Sequence, residues 1–367
     1  MAKTELEAIA SDVVRLSTLL TRDRDILPIT YLEDRALRRA YITYFLPANM
    51  YKVHIPFKEL SLHPAGIFVK ERLKILDLGS GPGTALIGIL YFFAAQKECP
   101  YIEFTAVDPV VENLEEAEGL FKQTKEKTSV PASLLTIKGS IERIKSLPKG
   151  PFDVIVLSNV LGEIAHSHPD RIERRSRLLD RLLTGSLAGD GSCIIIEPAL
   201  KETSRELLTV RDAMVDKGFH VYSPCLMDDP CPALTNPKDW CHEDIPWEPP
   251  YIIKEIDRLT GMRKDSLKFS YITLRKDQLS LRDICIDHPF RVVSNPLISK
   301  GKMEFYICGP GGRRLAVRLD KDETPSNKPF TDIRRGEIVS IHNMIDDGKR
   351  LKIGKETIID KIISIKI

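Results

Sequence analysis

Asp77, Gly79, Ser80, Gly81 and Gly83 stand in one run, Asp77-Leu78-Gly79-Ser80-Gly81-Pro82-Gly83, between a short apolar segment and a helical one. A glycine loop at such a junction lets backbone N–H groups approach a ligand at a helix N-terminus. The spacing is G-x-G-x-G, not the G-x-G-x-x-G of dinucleotide binders, and Pro82 stands where that loop needs open backbone beside a pyrophosphate. Asp77, two residues before the first glycine, is placed to reach a ligand from a strand end. Asp108 follows Gly83 by 25 residues and closes a second apolar run, where an acid accepts hydrogen bonds from ribose hydroxyls.

Together these residues resemble the class I methyltransferases. The resemblance implies S-adenosylmethionine as cofactor, with the loop on its methionine part and Asp108 on its ribose. It further implies that Gly139-Ser140-Ile141 lies along the adenine and that Ser158-Asn159-Val160-Leu161 faces the methyl-transfer site. A nicotinamide cofactor and an empty, degenerate fold are the rival readings. No Asn/Asp-Pro-Pro-aromatic tetrapeptide marks amino-nitrogen methylation of a base. No Pro-Cys or Thr-Cys pair follows the fourth or fifth strand to mark a covalent mechanism. Glu163 and His166 are candidate bases, although an exposed loop Glu and His are more often only that. The catalytic residue stays unassigned.

The second group is Cys225-x5-Cys231-Pro232-x8-Cys241-His242. Thiols that a reducing compartment keeps unpaired are better read as metal ligands than as disulfides. The spacing is wider than that of zinc knuckles, and thiolates in a proline-rich loop also suit an iron–sulfur cluster. Spacing alone leaves zinc, iron–sulfur and unligated thiols open, with Cys285, Cys308 and His242 as candidates for a fourth ligand.

Pro224-Cys225, Pro230-Cys231-Pro232 and Asp239-Trp240-Cys241-His242 resemble the cysteine signature of the Rsm-type small-ribosomal-subunit methyltransferases, relatives of mitochondrial methyltransferase-like protein seventeen. The likeness extends to Ala40-Tyr41, Leu46-Pro47-Ala48, Asn159-Val160-Leu161-Gly162-Glu163, Ile196-Glu197-Pro198 and Leu267-Lys268-Phe269-Ser270-Tyr271. It resumes at Arg291-Val292-Val293, Lys300-Gly301 and Ile307-Cys308, so that it spans roughly residues 40 to 310. It implies a [4Fe–4S] cluster on Cys225, Cys231, Cys241 and Cys308, with Cys285 a bystander, and the small ribosomal subunit or its RNA as partner. Glu243-Asp244 after His242, the missing Pro-His after Cys225, and the ending Arg334-Arg335-Gly336-Glu337 depart from the family pattern. A non-catalytic assembly factor that keeps the cofactor fold is the second reading.

The elements that must position these residues follow from periodicity. Leu6, Ile9, Val13, Leu16, Leu19 and Leu20 mark one helical face. A second helix is expected from near Leu32 to a break at Pro47, so residues 1–65 form a helical cap. Apolar runs at 74–78, 103–108, 133–137, 152–157 and 192–197, separated by helical stretches, predict a parallel sheet covered on both faces. The fold class is therefore α/β, a doubly wound Rossmann-like sheet over 66–280. Residues 223–250 hold seven prolines and three cysteines and are expected to form a metal-binding insertion (223–265) before a last sheet strand at 268–274. Short strands near 291–293, 303–307, 315–319 and 337–341 predict a small β-domain over 281–367.

Composition sets the outer limits. At 43% hydrophobic and 29% charged residues, the chain reads as an ordinary globular protein. It lacks an apolar run of about 20 residues and a secretory or transit leader, so it is expected to be cytoplasmic, off the membrane and monomeric. The net charge of +2 is uneven, for residues 291–367 carry 16 Lys and Arg against 10 Asp and Glu. A basic C-terminal portion favours a polyanion, nucleic acid first. A solvated basic surface that binds nothing is the alternative.

Overall fold

The structure, a computed structural model, describes residues 3–28, 30–143, 147–285 and 287–364. The chain opens with α1 (Lys3–Thr21), α2 (Arg35–Ala40), α3 (Leu46–Asn49) and α4 (His54–Leu60). Ile9, Val13 and Leu16 of α1 are buried against Leu37, Ala40 and Tyr44, the face the spacing predicts. Asp34 caps α2 by accepting N–H bonds from Ala36 at 2.9 Å and Leu37 at 3.4 Å. The expected break at Pro47 does not occur. A π-helical turn at Tyr41–Phe45 shifts the hydrogen-bond ladder, with Leu46 N–H donating to Tyr41 O, and Pro47 falls in the first turn of α3. A proline there forfeits no helical bond.

The cofactor-type unit runs β1 (Arg72–Leu78), α5 (Thr84–Ala94), β2 (Tyr101–Asp108), α6 (Val111–Thr128), β3 (Ala132–Lys138), β4 (Phe152–Ser158), α7 (Arg171–Ser186), β5 (Leu187–Pro198), α8 (Lys201–Val215) and β6 (His220–Ser223). After it come β7 (Glu243–Pro246), α9 (Tyr251–Thr260) and β8 (Ser266–Arg275). The sheet order is β3-β2-β1-β4-β5-β8-β6, with β7 on the start of β8. The first five strands pair in parallel. β8 enters antiparallel between β5 and β6, so the sheet is mixed, not the uniformly parallel one expected. β8 is buried from Phe269 to Arg275, and burial alone does not encode strand direction. The two faces are covered by separate buried clusters, one around Leu86, Leu90 and Phe104, the other around Ile155, Leu179 and Val210. Inside the expected loop-rich insertion α9 packs Ile253 and Ile256 on the α1 cluster. The helical cap thus rests on the insertion.

Beyond α10 (Leu281–Ile284) a second sheet holds β9 (Pro289–Val292), β10 (Leu297–Ser299), β11 (Lys302–Gly309), β12 (Gly312–Leu319), β13 (Ile338–His342), β14 (Ile345–Asp346), β15 (Arg350–Ile353) and β16 (Ile358–Ile363). Its order is β14-β15-β12-β11-β9-β13-β16, with β10 on β11, around Phe305, Ile307, Phe330 and Ile341. Arg291 joins the two sheets. Its buried guanidinium bonds Glu59 of α4, the Tyr271 hydroxyl at 3.2 Å, Glu243 at 3.4 Å and Gly336 O at 3.1 Å, while Tyr271 also donates to Glu59 at 2.7 Å. Among the described residues no helix is long and apolar enough to cross a membrane.

Candidate functional site

The carboxyl ends of β1, β2, β4 and β5 open into a cavity of about 370 Å³ roofed by the N-terminal cap, within the range of roughly 300–1,000 Å³ usual for small-molecule sites. Asp77, Gly79, Ser80, Gly81, Asp108 and Asn159 line it. The loop is hung on β2, for the Gly79 and Ser80 N–H groups donate to Val107 O at 2.8 and 3.1 Å. Gly79 has φ +66°, and a Cβ there would stand 2.5 Å from Val160 Cγ2. Gly83 does not line the cavity. It has φ +83°, and a Cβ would meet Ala117 Cβ at 3.1 Å, so this glycine lets α5 start close against α6. Ser140 and Ile141 line a smaller adjoining cavity of about 30 Å³ that shares Gly79, Pro109, Val160 and Glu163 with the larger one.

The two acids differ in how far the protein itself satisfies them. Asp108 accepts from Gly81 N–H at 2.8 Å, Val110 N–H at 3.0 Å and Asn113 Nδ2 at 3.0 Å. Oδ2 takes only one of these bonds and keeps capacity toward the cavity. Asp77 is 1% exposed, and among the described residues neither carboxylate oxygen has a hydrogen-bond partner. Burial, then the neighbouring Asp108, pushes its pKa up to about 8. An orphaned buried carboxyl on the wall of a cavity is a candidate binding group.

Sequence reasoning missed Arg24, Tyr31, Tyr41, Lys52 and Lys264, which all line the same cavity. The Tyr41 hydroxyl lies 3.3 Å from Thr84 Oγ1; its place on the apolar face of the second helix hid a polar tip. Burial of Lys52 has no sequence signal. Glu163 lines the cavity and a neighbouring one of about 300 Å³ that also holds His166. Burial, then Glu197, against the pull of Arg24, raises Glu163 to about 8. A carboxyl poised near neutrality can take or give a proton.

The four predicted cysteines meet elsewhere, between α8, the insertion and the second sheet. Cys225, Cys231, Cys241 and Cys308 line one cavity with Arg211, Arg313 and His242. Cys285 does not, being packed in the main core with Leu281 and Ile363. α8 holds the insertion by two arginines. Arg205 donates to Ala233 O at 3.0 Å, Asn236 O at 2.9 Å, Asp239 O at 2.6 Å and Leu234 O at 3.2 Å. Arg211 donates to Asp229 O at 2.5 Å, Asp228 O at 3.2 Å and Met227 O. The Cys231 N–H bonds Asp212, and Ser270 Oγ donates to Cys241 O at 2.8 Å. Burial, followed by the facing thiols, raises Cys241 and Cys308 to about 12 and Cys231 higher, while Arg313 opposes the shift at Cys241 and Cys308 and Arg211 at Cys231 and Cys308. Soft donors facing fixed positive charge fit a group that binds thiolates. Among the described residues, however, no three His, Cys, Asp or Glu are arranged to hold a metal ion.

With both sites in view, the sequence compared with known families matches the model of mitochondrial small ribosomal subunit Rsm22 over residues 39–326. The chain belongs to the Rsm22 family. Its match takes in the glycine loop, the insertion and Cys308 together. This Rsm22-family chain is also similar to solved methyltransferase structures. The plantazolicin methyltransferase BamL, in complex with a desmethyl analogue and SAH, is 12% identical at TM-score 0.36, over 76% of this chain and 100% of that one. A SAM-dependent methyltransferase from Methanosarcina mazei is 13% identical at TM-score 0.34, over 59% and 98%. Loganic acid methyltransferase with SAH is 13% identical at TM-score 0.34, over 65% and 95%. No curated protein matches the sequence. The fold of this Rsm22-family chain is Rossmann-like α/β, with mixed sheets.

Proposed function

We propose that this protein is an S-adenosylmethionine-dependent methyltransferase acting on small-subunit ribosomal RNA or its assembly particle, with a structural [4Fe–4S] cluster. The observation that carries the reading is the partnerless Asp77 carboxylate beside a glycine loop in a cavity of cofactor size. Asp77 would take the cofactor's amino group, Asp108 Oδ2 its ribose hydroxyls, and Gly139-Ser140-Ile141 its adenine. S-adenosylmethionine supplies an activated methyl group, and the cap helices exclude water from it. Glu163, held near neutrality at the cavity wall, is the group placed to move a proton.

Cys225, Cys231, Cys241 and Cys308 would hold the cluster. A zinc ion would need all four sulfurs about 2.3 Å from one point, whereas a cluster would take each thiolate on a separate iron; the choice of the cluster rests on the resemblance of the cysteine signature. When bound, it ties the insertion to β11. The ribosomal partner rests on the family, whose model describes a small ribosomal subunit protein. A non-catalytic assembly factor is the second reading, favoured by the absence of a base-methylation tetrapeptide at Ser158-Asn159-Val160-Leu161. Purified protein incubated with radiolabelled S-adenosylmethionine and small-subunit particles decides between them. Label in the RNA supports the enzyme, and cofactor binding without label supports the assembly factor.

A further inference from the structure

The cofactor cavity has two electrical ends. Asp108 and Asp77 stand at β2 and β1, while Lys268 starts β8, beyond β4 and β5 in the sheet order. Lys52 and Lys264 line the cavity with Lys268. Lys52 is 7% exposed, and among the described residues its ammonium has no hydrogen bond or ion pair; the Phe269 ring lies 6.0 Å away. The half-buried Lys264 ammonium faces the rings of Tyr44 and Phe45, at 5.7 and 5.2 Å, and Asp257 is the carboxylate that acts on it. Lys268 reaches Asp244 at 4.0 Å, the limit of an ion pair. Burial, then the neighbouring Lys264, depresses Lys52 to about 7, against the opposing pull of Glu197. The same three lysines also line a second cavity of about 110 Å³ with Ala48, Arg263 and Ser266. They form the threshold between the two.

We propose that Lys52, Lys264 and Lys268 form an anion subsite at this threshold, and that it takes a backbone phosphate of the single-stranded RNA that carries the acceptor nucleotide. The assignment rests on the proposed RNA substrate. The cofactor's own carboxylate is the competing anion, and distance argues against it. Three strand spacings separate β1 from β8, roughly 14 Å at about 4.8 Å each. The amino and carboxylate groups of the methionine part share one carbon, so while Asp77 holds the amino group the carboxylate stays by β1, away from the β8 backbone that carries Lys268. Ammonium groups act as point charges toward phosphate, and a strand entering through the second cavity passes all three.

The test uses the full chain and two variants, Lys52→Gln and Lys268→Gln, the second at an exposed side chain whose loss leaves the core intact. Pyrophosphate binding is followed by phosphorus NMR, S-adenosylhomocysteine binding by calorimetry, and binding of a short single-stranded RNA by anisotropy. Both variants should weaken pyrophosphate and RNA about fivefold or more and leave S-adenosylhomocysteine within twofold. Pyrophosphate binding equal in all three proteins would overturn the subsite. Weaker S-adenosylhomocysteine with unchanged RNA would hand the lysines to the cofactor carboxylate. A wild-type chain that binds pyrophosphate through these lysines but no RNA removes the RNA assignment and the proposed function, and leaves the anion site standing.

Discussion

At the residue scale, Asp77 is the sharpest case because the empty protein gives its carboxyl nothing to do. Its folded pKa of about 8 lies above the ordinary carboxylate value near 3.8. The unfolded chain therefore releases the proton first as pH rises, and stability falls from about pH 4 toward pH 8. Asp77→Asn should melt higher than wild type at pH 8 and match it near pH 4, which a thermal scan at the two pH values checks. The same substitution removes a charge-assisted bond to the cofactor's amino group, about 1.5–3 kcal/mol, or roughly ten- to a hundredfold in affinity by calorimetry. A variant that is both more stable empty and weaker in binding marks a functional residue; loss of stability at pH 8 would mark a structural one. Asp108 behaves differently. It supports the Gly81 and Val110 N–H groups, so Asp108→Ala should lose S-adenosylhomocysteine affinity and also melt lower.

Among the elements, α8 and the insertion show what the sequence could and could not say. The strands were legible because Val154, Ile155, Val156 and Leu157 are buried on both faces, and such runs are continuous in sequence. The antiparallel entry of β8 and the passage of the helix through Pro47 were not, since each depends on neighbours remote in sequence or on a one-residue ladder shift. The grouping of Cys308 with the insertion cysteines was legible only through resemblance, because spacing cannot tell that Cys308 on β11 lines their cavity and Cys285 packs in the core. Two arginines of α8 that hold the insertion's carbonyls carried no motif at all. Protein purified without oxygen should be brown, with about four irons per chain. Cys308→Ser should bleach it and Cys285→Ser should not; one zinc and no iron would remove the cluster. Arg205→Ala frees four carbonyls of residues 233–239 and should lower iron occupancy without touching a ligand. The Arg291 joint is the other element-scale device. Glu59→Gln leaves its buried guanidinium short of countercharge, an imbalance that costs about 3–5 kcal/mol and should appear as an earlier transition in denaturant.

For the whole molecule, the count of basic residues and their placement point to different surfaces. The excess from Arg291 onward suggested a basic RNA-facing tail, yet much of it is consumed internally. Arg291 and Arg318 are buried, Arg313 pairs with Asp239 at 3.0 Å, Arg314 with Asp346 at 2.5 Å and Lys361 with Glu337 at 3.3 Å. Arg335 bonds His242 at the cysteine cavity at 2.7 Å. Deleting the chain after Gly312 would therefore remove β12 and the arginines beside the thiols, and would report on folding more than on RNA. Lys321, Lys328 and Lys355 are exposed, but Asp320, Asp322 and Glu356 sit among them. Among the described residues, lysines without a close ion pair gather instead at the cavity mouth, at Lys52 and Lys264, beside Lys268 at the limit of a pair with Asp244. Each phosphate neutralised on a single strand contributes about −0.7 to the slope of log affinity against log salt. The double substitution Lys264→Gln and Lys268→Gln should then flatten that slope by about 0.7, for the one phosphate the subsite takes, while the triple substitution Lys321→Gln, Lys328→Gln and Lys355→Gln should leave it within error. The reverse pattern would return RNA binding to the second sheet and make the lysines at the cavity a local feature of the cofactor site.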